Sequence, residues 1–303
     1  EDPDRCPHYG AAAVVDVTIS SSPAWLRYRL FSLGVRPISN VVDITNLVLL
    51  EYGHPMHAFD LDRVRGGKIV VRRARAGEIL KTLDGVDRTL SDDDLLICDG
   101  EGAVALGGVM GGANSEIHQG TKRVLFECAY FDARGVRRTS RRHGLHTESS
   151  HRFERGVDPG DVEACLARAN SLASELGGGK AVVAMSNAIG KPIERRRVRL
   201  RGARMDALLG VHVPFEEATA VLQRLGCELA SSSKEDAELV VPTHRPDLSR
   251  EVDLIEEVAR VRGFEKIPTV LPKIRPTRDP DAREQITRRA RAAGVELGLS
   301  EAM

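Results

Sequence analysis

Apolar side chains recur at helical spacing near the start of the chain. Leu26, Leu30 and Leu33 follow a Ser-Pro pair at residues 22–23, a pattern typical of a helix N-cap and a first-turn proline. Gly34 then supplies a helix stop. We therefore predict a helix that begins at this Ser-Pro pair and turns the three leucines inward.

Runs of β-forming residues separated by glycine turns fill much of the first two hundred positions. They predict strands over residues 11–19, 68–73 and 124–131. An Asp-Gly pair at residues 84–85 predicts a tight hairpin turn. Two further helices are predicted over residues 134–142 and 161–176. The expected fold class is α+β, with a mixed, barrel-like β core flanked by helices.

The pattern changes near residue 195. Alternating charges over residues 194–201 are typical of an edge strand. Short helices over residues 205–209 and 214–225, a β pair at 227–230 and 239–241, and a longer helix over 248–261 are predicted next. This combination predicts a small winged-helix-like α/β domain. Prolines over residues 268–280 predict a stiff linker.

Three parts are therefore expected along the 303 residues, which are 42% apolar and can bury a sizeable core. Residues 1–195 form the first domain and residues 196–272 the winged-helix-like domain. Residues 273–303 hold the linker and the truncated start of a further domain. The start at Glu1 rather than methionine indicates a piece of a longer protein.

Composition narrows the functional classes. Lysine plus arginine and aspartate plus glutamate both total 44, so any nucleic-acid contact must come from local basic patches. The five cysteines are scattered without a CxxC pair, which is typical of reduced core residues. No secretory leader or membrane-length apolar stretch is present. We expect a cytoplasmic protein without a membrane partner.

Four long motifs carry a family resemblance. They lie within residues 40–60, 107–112, 141–159 and 242–260, and read NVVDITN with GHPMHAFD, GGVMGG, RRHGLHT with SHRFERGVDP, and PTHRPDL with DLIEEVAR. In this order and spacing the chain resembles the beta subunit of bacterial phenylalanyl-tRNA synthetases, over roughly residues 5–272.

The resemblance implies a proofreading role. The first domain would be the editing domain, which hydrolyses mischarged tyrosyl-tRNA(Phe), within a heterotetramer of two alpha and two beta subunits. Aminoacylation, and the ATP that the full enzyme uses for it, would not involve this piece. The implied partners are the alpha subunit, tRNA(Phe) and the tyrosine moiety. Tyrosine and phenylalanine differ by one hydroxyl, so buried groups matched to that hydroxyl would discriminate between them.

The resemblance assigns the editing chemistry to His57, Glu127 and Thr147. His57 follows Pro55-Met56 and could orient a water or the terminal ribose, although most histidines are structural. Glu127 lies in an apolar strand pattern, where it either faces solvent or is buried at a cost that a ligand offsets. In the family the matching glutamate accepts a hydrogen bond from the tyrosine hydroxyl, and Thr147 matches a pocket-lining threonine.

Five more residues match substrate-binding positions of the family. Glycine lets backbone approach a ligand closely, and Gly108 matches a position whose main chain lines the amino-acid pocket. Gly107 and Ser149 replace alanines that are common at their positions. Thr45 and Asn46 match residues near the ester end of the substrate. The glycine run by itself is weak evidence, because it lacks the Gly-Lys-Ser/Thr ending of a phosphate loop.

Basic residues cluster in the predicted helix over residues 134–142. Arg137, Arg138, Arg141 and Arg142, followed by His143, could present several guanidinium groups to tRNA phosphates. A solvated charged face is the ordinary alternative. The cluster's place between the pocket motifs favours tRNA contact.

Acidic residues cluster in the last motif. Asp253, Glu256 and Glu257 fall at helical spacing and Asp247 lies just before the helix, so their carboxylates could bind a hard cation. A solvated acidic face with Glu256 paired to Arg260 is the alternative. The resemblance implies magnesium at these four positions, shared with the alpha subunit.

Two other functional classes stay open at the level of sequence. The chain could be a non-catalytic module for tRNA docking or subunit assembly, as its smaller domain permits. It could also be a carboxylate-metal hydrolase centred on residues 247–257. Since the sequence contains neither a Ser-His-Asp arrangement nor a zinc-ligand set, hydrolysis in the favoured reading depends on water and the substrate's own ribose.

Overall fold

The computed structural model describes residues 1–271 and 281–302. The first domain contains β1 (His8–Val15), α1 (Ala24–Ser32), α2 (Asn40–Tyr52), β2 (Met56–Asp60), β3 (Val70–Arg73), β4 (Ile79–Lys81), β5 (Asp87–Thr89), β6 (Leu95–Cys98), β7 (Ala103–Leu106), β8 (Met110–Gly111), β9 (Val124–Tyr130), α3 (Ala133–His143), α4 (Glu148–Phe153), α5 (Val162–Gly177) and β10 (Lys180–Ile189). The rest contains β11 (Arg197–Arg201), α6 (Gly202–Leu209), α7 (Phe215–Arg224), β12 (Glu228–Ser232), β13 (Asp236–Val240), α8 (Glu251–Arg262) and α9 (Ala282–Glu296).

The strands form separate antiparallel sheets. The central sheet has the order β10-β1-β9-β2, a second has the order β3-β6-β7-β8, and β4 pairs with β5 around the predicted turn at residues 84–85. The prediction of an α+β fold is confirmed. The prediction of a mixed, barrel-like core is wrong, because every strand pair in the described ranges is antiparallel and the sheets stay open at their edge strands.

The two faces of the central sheet serve different purposes. On β9, Phe126 and Cys128 point into a core built with α2 and α5. The alternate residues, including Ala129, pack with the second sheet in another core. Because side chains alternate along a strand, Glu127 lies on the face toward the second sheet. The pocket described below opens on this face.

The first helix differs from its prediction at both ends. Leu26 and Leu30 are fully buried, but Leu33 is 57% exposed, so the expectation for Leu33 is wrong. The helix ends at Ser32, which leaves Leu33 in the C-cap position outside the buried stripe. Ser22 does not cap the helix; its hydroxyl donates to the buried Asp43 carboxylate at 2.6 Å and ties α1 to α2.

The smaller unit has its own apolar core, contributed by β11, β13 and helices α6 to α8. The run predicted as an edge strand is β11, and it completes a three-stranded antiparallel sheet in the order β11-β13-β12. The predicted β pair therefore has a third member. Of the predicted proline-rich linker, residues 272–280 lie outside the described residues.

Two further expectations concern the cysteines and membrane-spanning segments. All five cysteines are free and buried, as predicted for reduced core residues. Across the two described ranges, no helix combines the length and apolarity needed to cross a membrane.

Candidate functional site

A cavity of about 250 Å³ lies between the central and second sheets. Its polar lining consists of His57, Glu127, Thr147 and Ser149, and its apolar lining includes Met56, Leu83, Ile97, Ala105, Leu106, Val109, Met110 and Phe153. The volume lies below the roughly 300–1,000 Å³ typical of drug-sized ligands. The pocket is therefore suited to a single small moiety such as an amino-acid side chain.

Strand register brings His57 and Glu127 together. In the antiparallel pair of β2 and β9, His57 lies directly opposite Glu127. Side chains at such positions share one face of the sheet, with β-carbons about 4.5–5.5 Å apart. Two residues separated by seventy positions in sequence thus form one wall of the pocket.

The Glu127 carboxyl is buried without a partner. The residue is 5% exposed, and no hydrogen bond or ion pair reaches its side chain from the described part of the chain. Burial raises the pKa of Glu127 to about 8, because the charged form loses solvation. At neutral pH the group is therefore mainly a neutral carboxylic acid, which offers both a donor and an acceptor to a ligand. The outward-facing alternative for this residue is excluded.

His57 is held by packing on two sides. Its ring meets Phe59 edge to face with centroids 4.5 Å apart, and a β-carbon placed on Gly111 would come within 2.6 Å of the His57 ring. Its buried Nε2 has no hydrogen-bond partner among the described residues. Burial lowers the pKa of His57 to about 4, so the imidazole is neutral at physiological pH.

Thr147 and Ser149 shape the pocket through the backbone. The Thr147 hydroxyl donates to the Val109 carbonyl at 2.8 Å and caps α4 by accepting from the Ser150 N–H. The Ser149 hydroxyl donates to the Gly108 carbonyl at 3.0 Å. Both hydroxyl groups therefore donate to backbone carbonyls of the glycine-rich segment. These two hydrogen bonds hold the start of α4 against that segment.

Gly108 has a positive φ of 69°, a conformation that favours glycine. A β-carbon there would also meet Val136 at 2.9 Å. Its neighbour Gly107 lies outside the pocket lining, beside Leu95. Thr45 and Asn46 also lie outside the lining, on α2, where the Thr45 hydroxyl donates to the Val42 carbonyl. Substrate contact by these last three residues stays a prediction.

Gly111 and Leu83 are among the lining residues that the sequence did not single out as site residues. Gly111 gives the His57 ring its space, and Leu83 reaches the pocket from the β4-β5 hairpin. The GGVMGG motif pointed to the first of them without distinguishing its four glycines. An apolar residue beside the Asp-Gly turn was the available signal for Leu83.

The basic helix divides into paired and free arginines. Arg138 and Arg142 contact Asp93, Arg142 also pairs with Asp94, and His143 bonds the Asp94 carboxylate at 2.8 Å. Asp94 is fully buried and its pKa is lowered: burial opposes ionisation, but hydrogen bonds from His143, the Ser91 backbone and Thr139 outweigh it. These basic residues anchor α3 to the loop before β6.

The free arginines of α3 share one face. Arg134, Arg137 and Arg141 are exposed, and no ion-pair partner for them occurs in the described ranges. Their spacing of three and four residues aligns them along the helix. Of the four arginines predicted to contact tRNA, Arg138 and Arg142 are engaged by Asp93 and Asp94, and tRNA contact by all four stays a prediction.

The acidic cluster is largely neutralised within the protein. Asp247 pairs with Arg245, and Glu257 pairs with both Arg245 and Arg260. Bonds from these arginines, that from Arg260 foremost, lower the pKa of Glu257 to about 2. The alternative pairing of Glu256 with Arg260 does not form among the described residues, because Arg260 binds Glu257 instead.

The four proposed magnesium ligands do not form a cation site in this arrangement. Asp253 accepts hydrogen bonds from the Ser249 and Arg250 backbone N–H groups, while Glu256 is exposed and forms no ion pair within the described ranges. In the described part of the chain, no three of these carboxylates bring oxygens within 4.8 Å of one another. Binding an ion here requires the arginine pairs to open.

We expect the chain to bind magnesium weakly or not at all, because its arginines already neutralise the carboxylates. Isothermal calorimetry of the protein with magnesium chloride should give no saturable heat. Arg245→Ala should strengthen binding, since it frees Asp247 and leaves Glu257 with one partner instead of two. Micromolar affinity in the unmodified protein would refute this expectation.

Comparison with known proteins decides the family. Residues 5–178 match the B3/4 domain family, and residues 198–264 match the tRNA synthetase B5 domain family. The first match covers more than half of the chain and contains every residue of the pocket. The chain belongs to the B3/4 domain family.

Relatives of this B3/4 protein extend the assignment. It is 48% identical to a phenylalanine–tRNA ligase beta subunit of Geobacter metallireducens, over 99% of this chain and 38% of the relative. It is 50% identical to the beta subunit of Anaeromyxobacter dehalogenans, over 100% of this chain and 38% of the relative. The resemblance read from the four motifs is thereby confirmed. The chain spans well under half the length of these relatives.

A solved structure is more distant. The N-terminal fragment of the phenylalanyl-tRNA synthetase beta subunit from Pyrococcus horikoshii is 16% identical, with a TM-score of 0.39, over 85% of this chain and 71% of that one. A likeness this low adds nothing to the assignment.

Proposed function

We propose that residues 1–195 are an editing domain that hydrolyses the ester of tyrosyl-tRNA(Phe). The observation that carries the proposal is the unpaired Glu127 carboxyl, buried in the wall of an otherwise apolar pocket and directly opposite His57. Buried polar groups are nearly always hydrogen-bonded, so an unpaired one in a pocket indicates a ligand that completes it.

Selectivity follows from that unpaired group. A tyrosine side chain in the pocket would place its hydroxyl within reach of Glu127 and its ring against the apolar lining. Phenylalanine would fill the same space and leave the carboxyl unpaired, at a cost of about 1–3 kcal/mol. The pocket therefore favours the larger amino acid, the opposite of what a synthetic pocket for phenylalanine achieves by size.

The chemistry requires an attacking water near the ester. His57 is neutral at physiological pH, and its buried Nε2 is free to hold that water or the terminal ribose. No side chain of the pocket is arranged as an activated nucleophile. Water orientation by His57, with the substrate's ribose as an internal participant, is the proposed mechanism.

The larger assembly is part of the same proposal. As a segment of a phenylalanine–tRNA ligase beta subunit in the cytoplasm, the domain would work beside an alpha subunit that uses ATP to charge tRNA(Phe). Residues 196–272 would then be a winged-helix-like neighbour of the editing domain. Magnesium at Asp247, Asp253, Glu256 and Glu257 would require the alpha subunit to reorganise their arginine pairs.

A deacylation assay tests the proposed function. The chain should hydrolyse tyrosyl-tRNA(Phe) much faster than phenylalanyl-tRNA(Phe), and His57→Ala should slow the first reaction while leaving tyrosine binding to the pocket in place. Equal hydrolysis of both substrates by the unmodified chain would refute editing. Tyrosyl-tRNA binding without hydrolysis would instead support a docking module.

The two groups of arginines on α3 should behave differently with tRNA. Arg137→Gln with Arg141→Gln should weaken tRNA binding and reduce the slope of log affinity against log salt by about 1.4–1.8, since each lost phosphate contact accounts for roughly 0.7–0.9. Thermal stability should not change, because neither arginine has an ion-pair partner in the described chain.

Arg138→Gln with Arg142→Gln is the matched control on the same helix. This pair should lower thermal stability by breaking the contacts to Asp93 and Asp94, with the salt slope preserved in the folded protein. A salt slope unchanged from wild type in Arg137→Gln with Arg141→Gln would exclude this face of α3 from the tRNA interface.

A further inference from the structure

Three side chains of metal-binding types meet on the face of the central sheet that points away from the pocket. One ring nitrogen of His54 and the thiol sulfurs of Cys128 and Cys165 all lie within 4.8 Å of one another. All three residues are completely buried. They come from the link between α2 and β2, from β9 and from α5. The sequence shows no CxxC spacing here, because only the fold brings these ligands together.

The hydrogen bonding of His54 leaves one ring nitrogen free for a ligand. Burial lowers the pKa of His54, so the ring is neutral at physiological pH and carries one N–H and one lone pair. Its Nε2 lies 2.9 Å from the Ala129 carbonyl and therefore donates to it. The lone pair is then on the buried Nδ1, which has no hydrogen-bond partner among the described residues; the Asp158 carbonyl lies near the ring but outside hydrogen-bonding geometry. Histidines that bind metals commonly donate their other N–H to a carbonyl in this way.

The three ligands suit a borderline-soft divalent ion. Thiolate and imidazole are the ligands that zinc takes in structural sites. On binding, each thiol releases its proton, and the two thiolate charges balance the two charges of the ion. The buried complex of the ion with these three ligands is therefore neutral, which avoids the cost of placing a net charge in an apolar core.

A carboxylate is available near the three ligands. Asp161, in the N-cap position of α5, is half-buried, and its charge acts on both His54 and Cys128. Its side chain does not cap the helix, and in the described ranges no hydrogen bond or ion pair engages it. Because structural zinc takes four ligands in a tetrahedron, Asp161 can supply the fourth by turning its side chain.

We propose that His54, Cys128 and Cys165 form a structural zinc site, with Asp161 as the fourth ligand. Cys128 directly follows Glu127, and His54 lies three positions before His57. The ion would therefore hold β9, the start of β2 and α5 together behind the pocket wall. This site is independent of the proposed editing function, since none of its ligands lines the pocket.

The zinc content of the purified chain is the first test. Because the cluster is buried, the ion must enter during folding, so tag-free protein is produced in zinc-supplemented culture and dialysed against EDTA. It should retain about one zinc ion per chain by elemental mass spectrometry. Cys165→Ala should retain less than about a tenth of that amount. Cys98→Ala, which removes a buried free thiol outside the cluster, should retain it in full.

Cobalt in place of zinc identifies the ligands in the unmodified chain, so this measurement does not depend on a variant that folds. Protein produced with cobalt should show a near-ultraviolet thiolate-to-cobalt charge-transfer absorption, and this absorption should persist in Cys98→Ala. A folded, unmodified chain that retains no zinc and lacks this absorption would overturn the site. Zinc retained in full by Cys165→Ala, with its fold verified by circular dichroism, would also overturn it.

The structural role of the ion has a separate readout. Zinc-loaded chain should melt about 5–10 °C above chain produced in zinc-depleted culture, because an ion that binds only the folded state stabilises it. Cys98→Ala should show the same difference between loaded and depleted protein. Equal melting temperatures of the loaded and depleted unmodified chain would overturn the structural role.

Discussion

Glu127→Ala should lower the ratio of tyrosyl- to phenylalanyl-tRNA(Phe) deacylation by about 5- to 150-fold. The substrate hydroxyl would enter an apolar pocket without a partner, which costs roughly 1–3 kcal/mol. Phenylalanine would lose nothing, because no polar group would remain to be left unpaired. Single-turnover rates with both substrates give the ratio.

The Ser149 hydroxyl offers the tyrosine an alternative acceptor, so Ser149→Ala belongs in the same series. Its proton is engaged by the Gly108 carbonyl, which leaves only its lone pairs available. If the ratio keeps its original value in Glu127→Ala combined with Ser149→Ala, Glu127 does not read the hydroxyl.

Glu127→Gln separates the charge of this residue from its shape. Burial raises the pKa of Glu127 to about 8, so at pH 7 the neutral glutamine should preserve the ratio to within about threefold. As the pH rises through this value, the wild-type ratio should increase because a carboxylate accepts a stronger hydrogen bond. The Glu127→Gln ratio should stay flat over the same range.

The raised pKa of Glu127 also determines the direction in which stability changes with pH. Protonated Glu127 is favoured in the folded state, so its contribution to stability is fully present below the ordinary value of 4.5 and is lost as the pH rises through about 8. Glu127→Gln should therefore gain stability relative to wild type across this interval. Parallel denaturation curves at several pH values would check the direction.

The second large effect concerns folding. Asp94→Ala should reduce the free energy of unfolding by about 3–5 kcal/mol, because it removes the buried carboxylate that pairs with Arg142 and accepts hydrogen bonds from His143 and Thr139, and leaves these donors without that partner. Urea denaturation monitored by circular dichroism measures the loss.

Asp92→Ala is the matched control in the same loop, since Asp92 is exposed and should change stability by no more than about 0.5 kcal/mol. Because the pKa of Asp94 is lowered from 3.8, its contribution is present above that value and is lost as the pH falls through the folded-state pKa. If Asp94→Ala and Asp92→Ala had equal free energies of unfolding, the contacts of Asp94 with Arg142 and His143 would not stabilise the fold.

Local pattern was enough to predict most elements. The Asp-Gly turn at residues 84–85, the strand β9 and the helices α3 and α5 lie within a few residues of their predictions. Their signals are periodicity, turn chemistry and capping, all of which operate within one or two turns of chain. The motifs likewise sufficed for the family, because four long patterns in a fixed order carry more information than any single site.

Contacts distant in sequence decided the rest. The local sequence does not show which face of an alternating strand is buried. Only the pairing of β9 with β1 and β2 placed Glu127 inside, directly opposite His57. The same holds for α3, where Arg138 and Arg142 find their partners more than forty residues away, in the loop before β6. The sequence alone was enough to predict the candidate site residues and most of the helices and strands. Tertiary structure decided which charges are neutralised and which polar groups are left for a ligand, because burial and ion pairing depend on neighbours that only the fold supplies.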